Sequence, residues 1–260
     1  MPSRARSVLW RDAILIALLT ALVLQAWYAL WLWGRSPYGH VLLHAPLHLQ
    51  MAAHNPWLFG TIFVAGWTLM TVAMMLPTSF PLILMFHRIV AGHATSAWLV
   101  LLLIIGYLAI WLLCGVFLQG VNWLVQMGIV HLSWSTRSLG LSSAIILTIA
   151  GLYQFSSLKY ACLEKCRSPF SFLTSRWQGG NESVQALRIG VEHGLFCVGC
   201  CWSLMLLMFV VGTGSLAWML LLGVVMTLEK NFSWGRRLSA PLGVLLFVGA
   251  VAVFVDGIRS

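Results

Sequence analysis

Runs of apolar residues, separated by short polar stretches, predict helices over residues 13–33, 57–85, 96–118, 139–158, 190–208, 216–228 and 241–255. A hydrocarbon core about 30 Å thick is crossed by roughly 20 apolar residues at about 1.5 Å each, and the first run is long enough to do so. The basic front of that run, MPSRARS, has the look of a signal peptide, but the apolar stretch behind it is too long and lacks a small-residue cleavage site. It is therefore read as a retained first span. No internal repeat and no separate soluble domain is evident, so the expected architecture is one all-α, polytopic membrane domain over residues 1–260. The first span and a polar loop occupy residues 1–56, and a helical core occupies residues 57–255.

The breaks in the pattern are informative. The second run reads MMLPTSFPLILMF near its end, with Met70, Met74 and Met75 ahead of Pro77 and Pro81. Two prolines four apart remove donors and bend or break the helix there, an irregularity tolerated in a bilayer only where protein buries it or a cavity is lined. The fourth run is expected to continue as a helix through LKYACLEKCR and to stop at Ser168-Pro169. Residues 159–188 then read as the longest charged loop.

Composition sharpens this picture. With 60% hydrophobic and 8% charged residues the chain has too little polar surface for a water-soluble globule, so the bilayer is its first partner. The net charge of +9 is read as topology, with no nucleic-acid patch. If the N-terminus lies inside, twelve of the 15 Lys and Arg fall on the inner side, and only Arg35, Arg137 and Arg259 fall outside. About seven transmembrane helices, N-in and C-out, satisfy the positive-inside rule.

Six cysteines are present, and five of them cluster where no exported loop is expected. Reduced thiols are therefore expected rather than disulfides. Cys162 and Cys166 stand at i, i+4 and share a helix face. In GVEHGLFCVGCCWSLMLLM, His193, Cys197, Cys200, Cys201, Met205 and Met208 fall so that most share one stripe. The proposed topology brings both clusters, with Met74 and Met75, to the inner end of three helices. Thiolate with imidazole suits zinc or copper, and thioethers tilt the choice toward Cu(I), with zinc second. Cys197, Cys201, Met205 and Met208 extend as a soft-metal path, although methionine is also ordinary core filler. Glu192 and Glu229 are candidate supports for the site. Glu192 either orients the His193 ring or pairs with Arg188 at i−4. His40, His44 and His48, spaced by four, and His54 form a candidate outer collecting loop.

The segments MMLPTSFPLI, GLYQFSSLKYACLEKCRSPFSF, GVEHGLFCVGCCWSLMLLMFVVG and LEK resemble a bacterial family of predicted metal-binding integral membrane proteins of unknown function. The resemblance covers roughly residues 57–255. It implies a multi-pass inner-membrane protein associated with copper, with its metal-binding elements at Cys162, Cys166, His193, Cys197, Cys200 and Cys201. Two further elements of the resemblance lie at Met74, Met75 and Pro77, and at Glu229-Lys230.

The leading expectation is a Cu(I)-binding protein that holds, delivers or transports copper, with a copper-dependent membrane enzyme or a copper chaperone as partner. The absence of a nucleotide-binding loop argues against a primary pump. Two other readings stay open: a membrane thiol-disulfide oxidoreductase using Cys197 and Cys200, and an accessory subunit or assembly factor of a copper enzyme complex.

Overall fold

The computed structural model describes residues 2–35, 56–132, 136–177, 180–211 and 215–259. The loop histidines His40, His44, His48 and His54 lie outside the described residues. Among those described, every regular element is helical: α1 (Pro2–Arg35), α2 (Pro56–Met74), α3 (Phe80–Val90), α4 (Ser96–Leu132), α5 (Thr136–Gln154), α6 (Ser157–Arg167), α7 (Pro169–Arg176), α8 (Glu182–Val211), α9 (Leu216–Asn231) and α10 (Ser239–Arg259). Two 3-10 turns, Pro77–Ser79 and Gly235–Leu238, complete the set.

The all-α expectation holds. Among the described residues, four helical segments are long and apolar enough to cross a membrane: Trp10–Arg35, Ser96–Val121, Glu182–Met208 and Gly235–Val255. A fifth is counted if Gly60–Met74 and Pro77–Val90, bent by 44°, form one broken span. The other two expected spans are also helical: α5 has 19 residues, and α9 has 16 residues.

Two expectations are corrected. The fourth run does not pass straight into the cysteine segment, because the chain breaks at Phe155 and Ser156. The Ser156 side chain then caps the new helix α6, accepting from the Leu158 N–H at 3.1 Å. Residues 159–188 are not a loop either, because they form α6, α7 and the first turns of α8. Glu164, Lys165, Arg176 and Arg188 are exposed, while Lys159, Leu163, Phe172 and Leu173 are buried, so a half-apolar face holds these short helices on the core. The stop at Ser168-Pro169 is where it was expected, with Pro169 opening α7.

Helix α8 is the hub, packed along α4 and also touching α5, α6, α7 and α9. Its approach to α4 is backbone-close. A Cβ on Gly190 would stand 2.0 Å from the Leu103 carbonyl oxygen, and one on Gly106 would stand 2.5 Å from that of Leu187. Small residues that let backbones touch are how apolar helices associate where no water is displaced between them.

Candidate metal centre

The bend between α2 and α3 makes the floor of the site. Pro77 has no N–H for the carbonyl four residues back, and that carbonyl, Ala73 O, instead accepts from the Trp27 indole of α1 at 3.2 Å. The Met75 carbonyl is likewise taken by two side chains, Thr78 Oγ1 at 2.7 Å and Tyr107 OH at 3.1 Å. The break therefore turns backbone acceptors inward, and each is satisfied by a buried or half-buried donor.

On this floor stands α8. His193 is 4% exposed, and its Nε2 lies 3.2 Å from Ser79 Oγ while its Nδ1 is buried with no partner. The His193 ring is flanked by Tyr107 and Phe172, with centroids at 5.6 and 6.1 Å. One turn on, Cys197 Sγ is within 3.1 Å of Tyr107 OH and 2.9 Å of Lys230 Nζ, which also donates to Thr78 Oγ1 at 3.1 Å. Lys230 comes from α9 and is buried. Lys230 thus places a cationic group directly beside the Cys197 sulfur.

The thiols continue toward α6. Cys200 Sγ lies 3.4 Å from Cys201 Sγ and 3.9 Å from Cys166 Sγ. Cys162 rests on Gly199, where a Cβ would meet its sulfur at 2.6 Å, and burial raises its thiol above the ordinary range. Cys197, Cys200 and Cys201 are buried, Cys162 and Cys166 are half-buried, and all six cysteines are free thiols. Among the described residues no three His, Cys, Asp or Glu side chains stand close enough around one point to hold a metal as they are placed. The donor set nonetheless suits a soft ion, with an orphaned imidazole nitrogen and thiols in sequence across two helices.

Seven methionines lie in the same buried core as the thiols. Met74, Met75, Met205 and Met208 are all buried, as are Met70, Met219 and Met226. Met74 packs against Gly223 of α9, 3.8 Å from where a Cβ would stand.

The two acids separate. Glu192 is held by Arg188 at 2.9 Å and Arg176 at 3.0 Å, so it takes the ion-pair alternative, and the His193 ring meets Ser79 instead. Glu229 is buried beside the centre, gripped by Lys159 Nζ at 2.8 and 3.0 Å and by Ser239 Oγ at 2.8 Å. Lys159 also donates to Gln154 Oε1, and the Arg167 guanidinium donates to the Glu229 carbonyl at 3.1 Å. Residues missed by sequence reasoning are Tyr107, Thr78, Ser79 and Lys159. Tyr107 was findable as a hydroxyl inside an otherwise apolar run. Lys159 was hidden because it reads as one more inner-loop charge.

Residues 63–253 match the PpoB2 family, described as copper chaperone. The chain belongs to that family. The match covers nearly the stretch identified by resemblance and replaces its unknown function with copper handling. All the proposed thiol and imidazole ligands of this copper chaperone family member fall inside the matched residues. No curated protein and no solved structure matches the chain.

Proposed function

We propose that the protein is an integral, multi-pass protein of a bacterial inner membrane that holds Cu(I) at the centre on α8 and passes it to a copper-requiring partner. The observation that carries this is the continuous run of thiols from α8 to α6, Cys201 to Cys200 to Cys166 at 3.4 and 3.9 Å, in a member of a copper chaperone family. Cys162, Cys166, His193, Cys197, Cys200 and Cys201 are the proposed ligands. Met74, Met75, Met205 and Met208 supply thioethers along the path, and the His40, His44, His48 and His54 loop collects metal outside. A copper-dependent membrane enzyme fits as recipient, because the site would meet it within the bilayer.

Membrane insertion is supported by the outer faces of α4 and α10, where Leu113, Phe117, Leu245 and Val248 are all more than 60% exposed. Apolar patches of that extent need lipid or protein against them. Seven spans with the N-terminus inside follow from the charge bias.

The chemistry asked of the chain is modest. A thiolate in a low-dielectric interior is costly unless a cation balances it, and Cu(I) does so while the thiolates hold it reduced. His193 Nδ1 offers a neutral donor one turn from Cys197.

The test is elemental analysis with X-ray absorption on detergent-purified protein and on a variant with Cys162, Cys166, Cys197, Cys200 and Cys201 all changed to Ser. Copper with sulfur neighbours in the wild type and none in the variant is expected. Equal copper in both would overturn the assignment.

A further inference from the structure

The thiols are not equivalent, and their burial sorts them. Cys197, Cys200 and Cys201 are buried on α8, Cys197 against Tyr107 of α4 and Lys230 of α9, and His193 shares a helix face with Cys197 and Cys201 at i, i+4, i+8. Cys162 and Cys166 are half-buried on α6. The turn of α6 that carries Cys166 is flanked by Glu164 and Lys165, both exposed. Charged side chains that find no buried partner belong in water, so this turn lies at an aqueous surface. Cys166 is thus the one sulfur of the run that borders solvent and also reaches a buried sulfur, Cys200, at 3.9 Å.

Resting on the copper reading above, we propose that Cys166, supported by Cys162, is an exchange port, and that His193, Cys197 and Cys201 form the holding pocket. Cys200 is the hinge between the two. The partner at the port is a water-soluble carrier that exchanges Cu(I) with the protein through its own thiolates, and it is distinct from the membrane enzyme that receives copper within the bilayer. Sequence spacing does not reveal this division, because Cys197, Cys200 and Cys201 look alike on the helix and differ in what α4, α6 and α9 bring to them.

The transfer is ligand exchange at constant oxidation state. Cu(I) bound by Cys197 and Cys201 gains a third bond from the Cys200 thiolate, the Cu–S bond to Cys201 breaks, and the freed thiolate takes the proton that Cys200 gave up. By the same exchange Cys166 binds copper as the Cys197 bond breaks, Cys197 taking the proton that Cys166 gave up; two carrier thiolates then add in turn as the Cys200 and Cys166 bonds break, and those sulfurs take up the protons the carrier thiols lost. No oxidant or reductant is required. The adjacent sulfurs, 3.4 and 3.9 Å apart, let each bond form before the previous one is lost.

The experiment loads detergent-purified protein with Cu(I) and follows its removal by the hydrophilic chelator bathocuproine disulfonate, and separately by glutathione, in stopped flow. The Cys162→Ser/Cys166→Ser variant is expected to retain copper but to release it at least about ten-fold more slowly, a barrier increase of about 1.4 kcal/mol. Cys166→Met, which keeps a soft donor at the port, should restore part of the rate and guards against a folding defect. In the apo protein a membrane-impermeant maleimide should label Cys166 before Cys197, Cys200 or Cys201. Wild-type release rates from the double variant, or loss of its copper altogether, would overturn the port. A wild type that binds no copper would instead remove the reading on which the port rests.

Discussion

Glu229 shows how single residues set the site. Its carboxylate is 1% exposed and answers Lys159, itself fully buried, across two helices. A buried pair of this kind adds little net stability over an apolar pair, but removing one partner strands the other charge at a cost of about 3–5 kcal/mol. Glu229→Ala and Lys159→Ala are each expected to lower the thermal midpoint of the purified protein by a large margin, whereas the double change to Met should recover much of it. Single variants that melt with the wild type would show that the pair is not buried as described. Gly190 is a second such residue. Even Ala there meets the Leu103 carbonyl at 2.0 Å, and forced overpacking costs about 1–3 kcal/mol. Gly190→Ala should reduce the yield of folded protein, while alanine at Gly249, where a Cβ meets nothing within 4 Å, should be silent in the same assay. The soft ligands were legible as residues, because Cys, His and Met in an apolar run stand out by type. Lys230 and Tyr107 were not legible as neighbours of Cys197, since nothing in local spacing relates positions so far apart in the chain.

At the scale of elements, the proline break and the cap at Ser156 shape the centre. Trp27→Phe keeps an aromatic ring, though a smaller one, and removes the donor to Ala73 O, leaving a carbonyl unsatisfied at a cost of about 1–3 kcal/mol. The expected outcome is a lower melting temperature and weaker attachment of α1, read by faster proteolysis within α1. Unchanged proteolysis and melting would mean that another group takes that carbonyl. Ser156→Ala should cost about 1 kcal/mol through loss of the α6 cap. The bend was expected from Pro77 and Pro81 because the missing N–H is a property of the residue itself. The identity of the groups that satisfy the freed carbonyls was not, since Trp27 and Tyr107 come from other helices. The charged stretch 159–188 misread as loop for a related reason. Its short helices are held by tertiary burial of Leu163, Phe172 and Leu173 rather than by strong periodicity.

For the whole molecule, the N-in, C-out arrangement predicts that a reporter active only outside the cytoplasm will be active when fused after residue 260. Reporter activity found only on the cytoplasmic side would refute the seven-span count. Copper binding to the folded state alone should raise the melting temperature in proportion to the logarithm of free Cu(I). That rise should vanish in the five-cysteine variant. Hydropathy, charge and residue type by themselves determined the helical class, the apolar exterior and which residues are candidate soft-metal donors, because these are local residue properties. Only the tertiary structure decided which sulfurs face one another, which carbonyls the break exposes and that Lys230 meets Cys197. Those contacts are set by how α6 and α9 pack on α8, and packing partners distant in sequence leave no periodic trace in the chain.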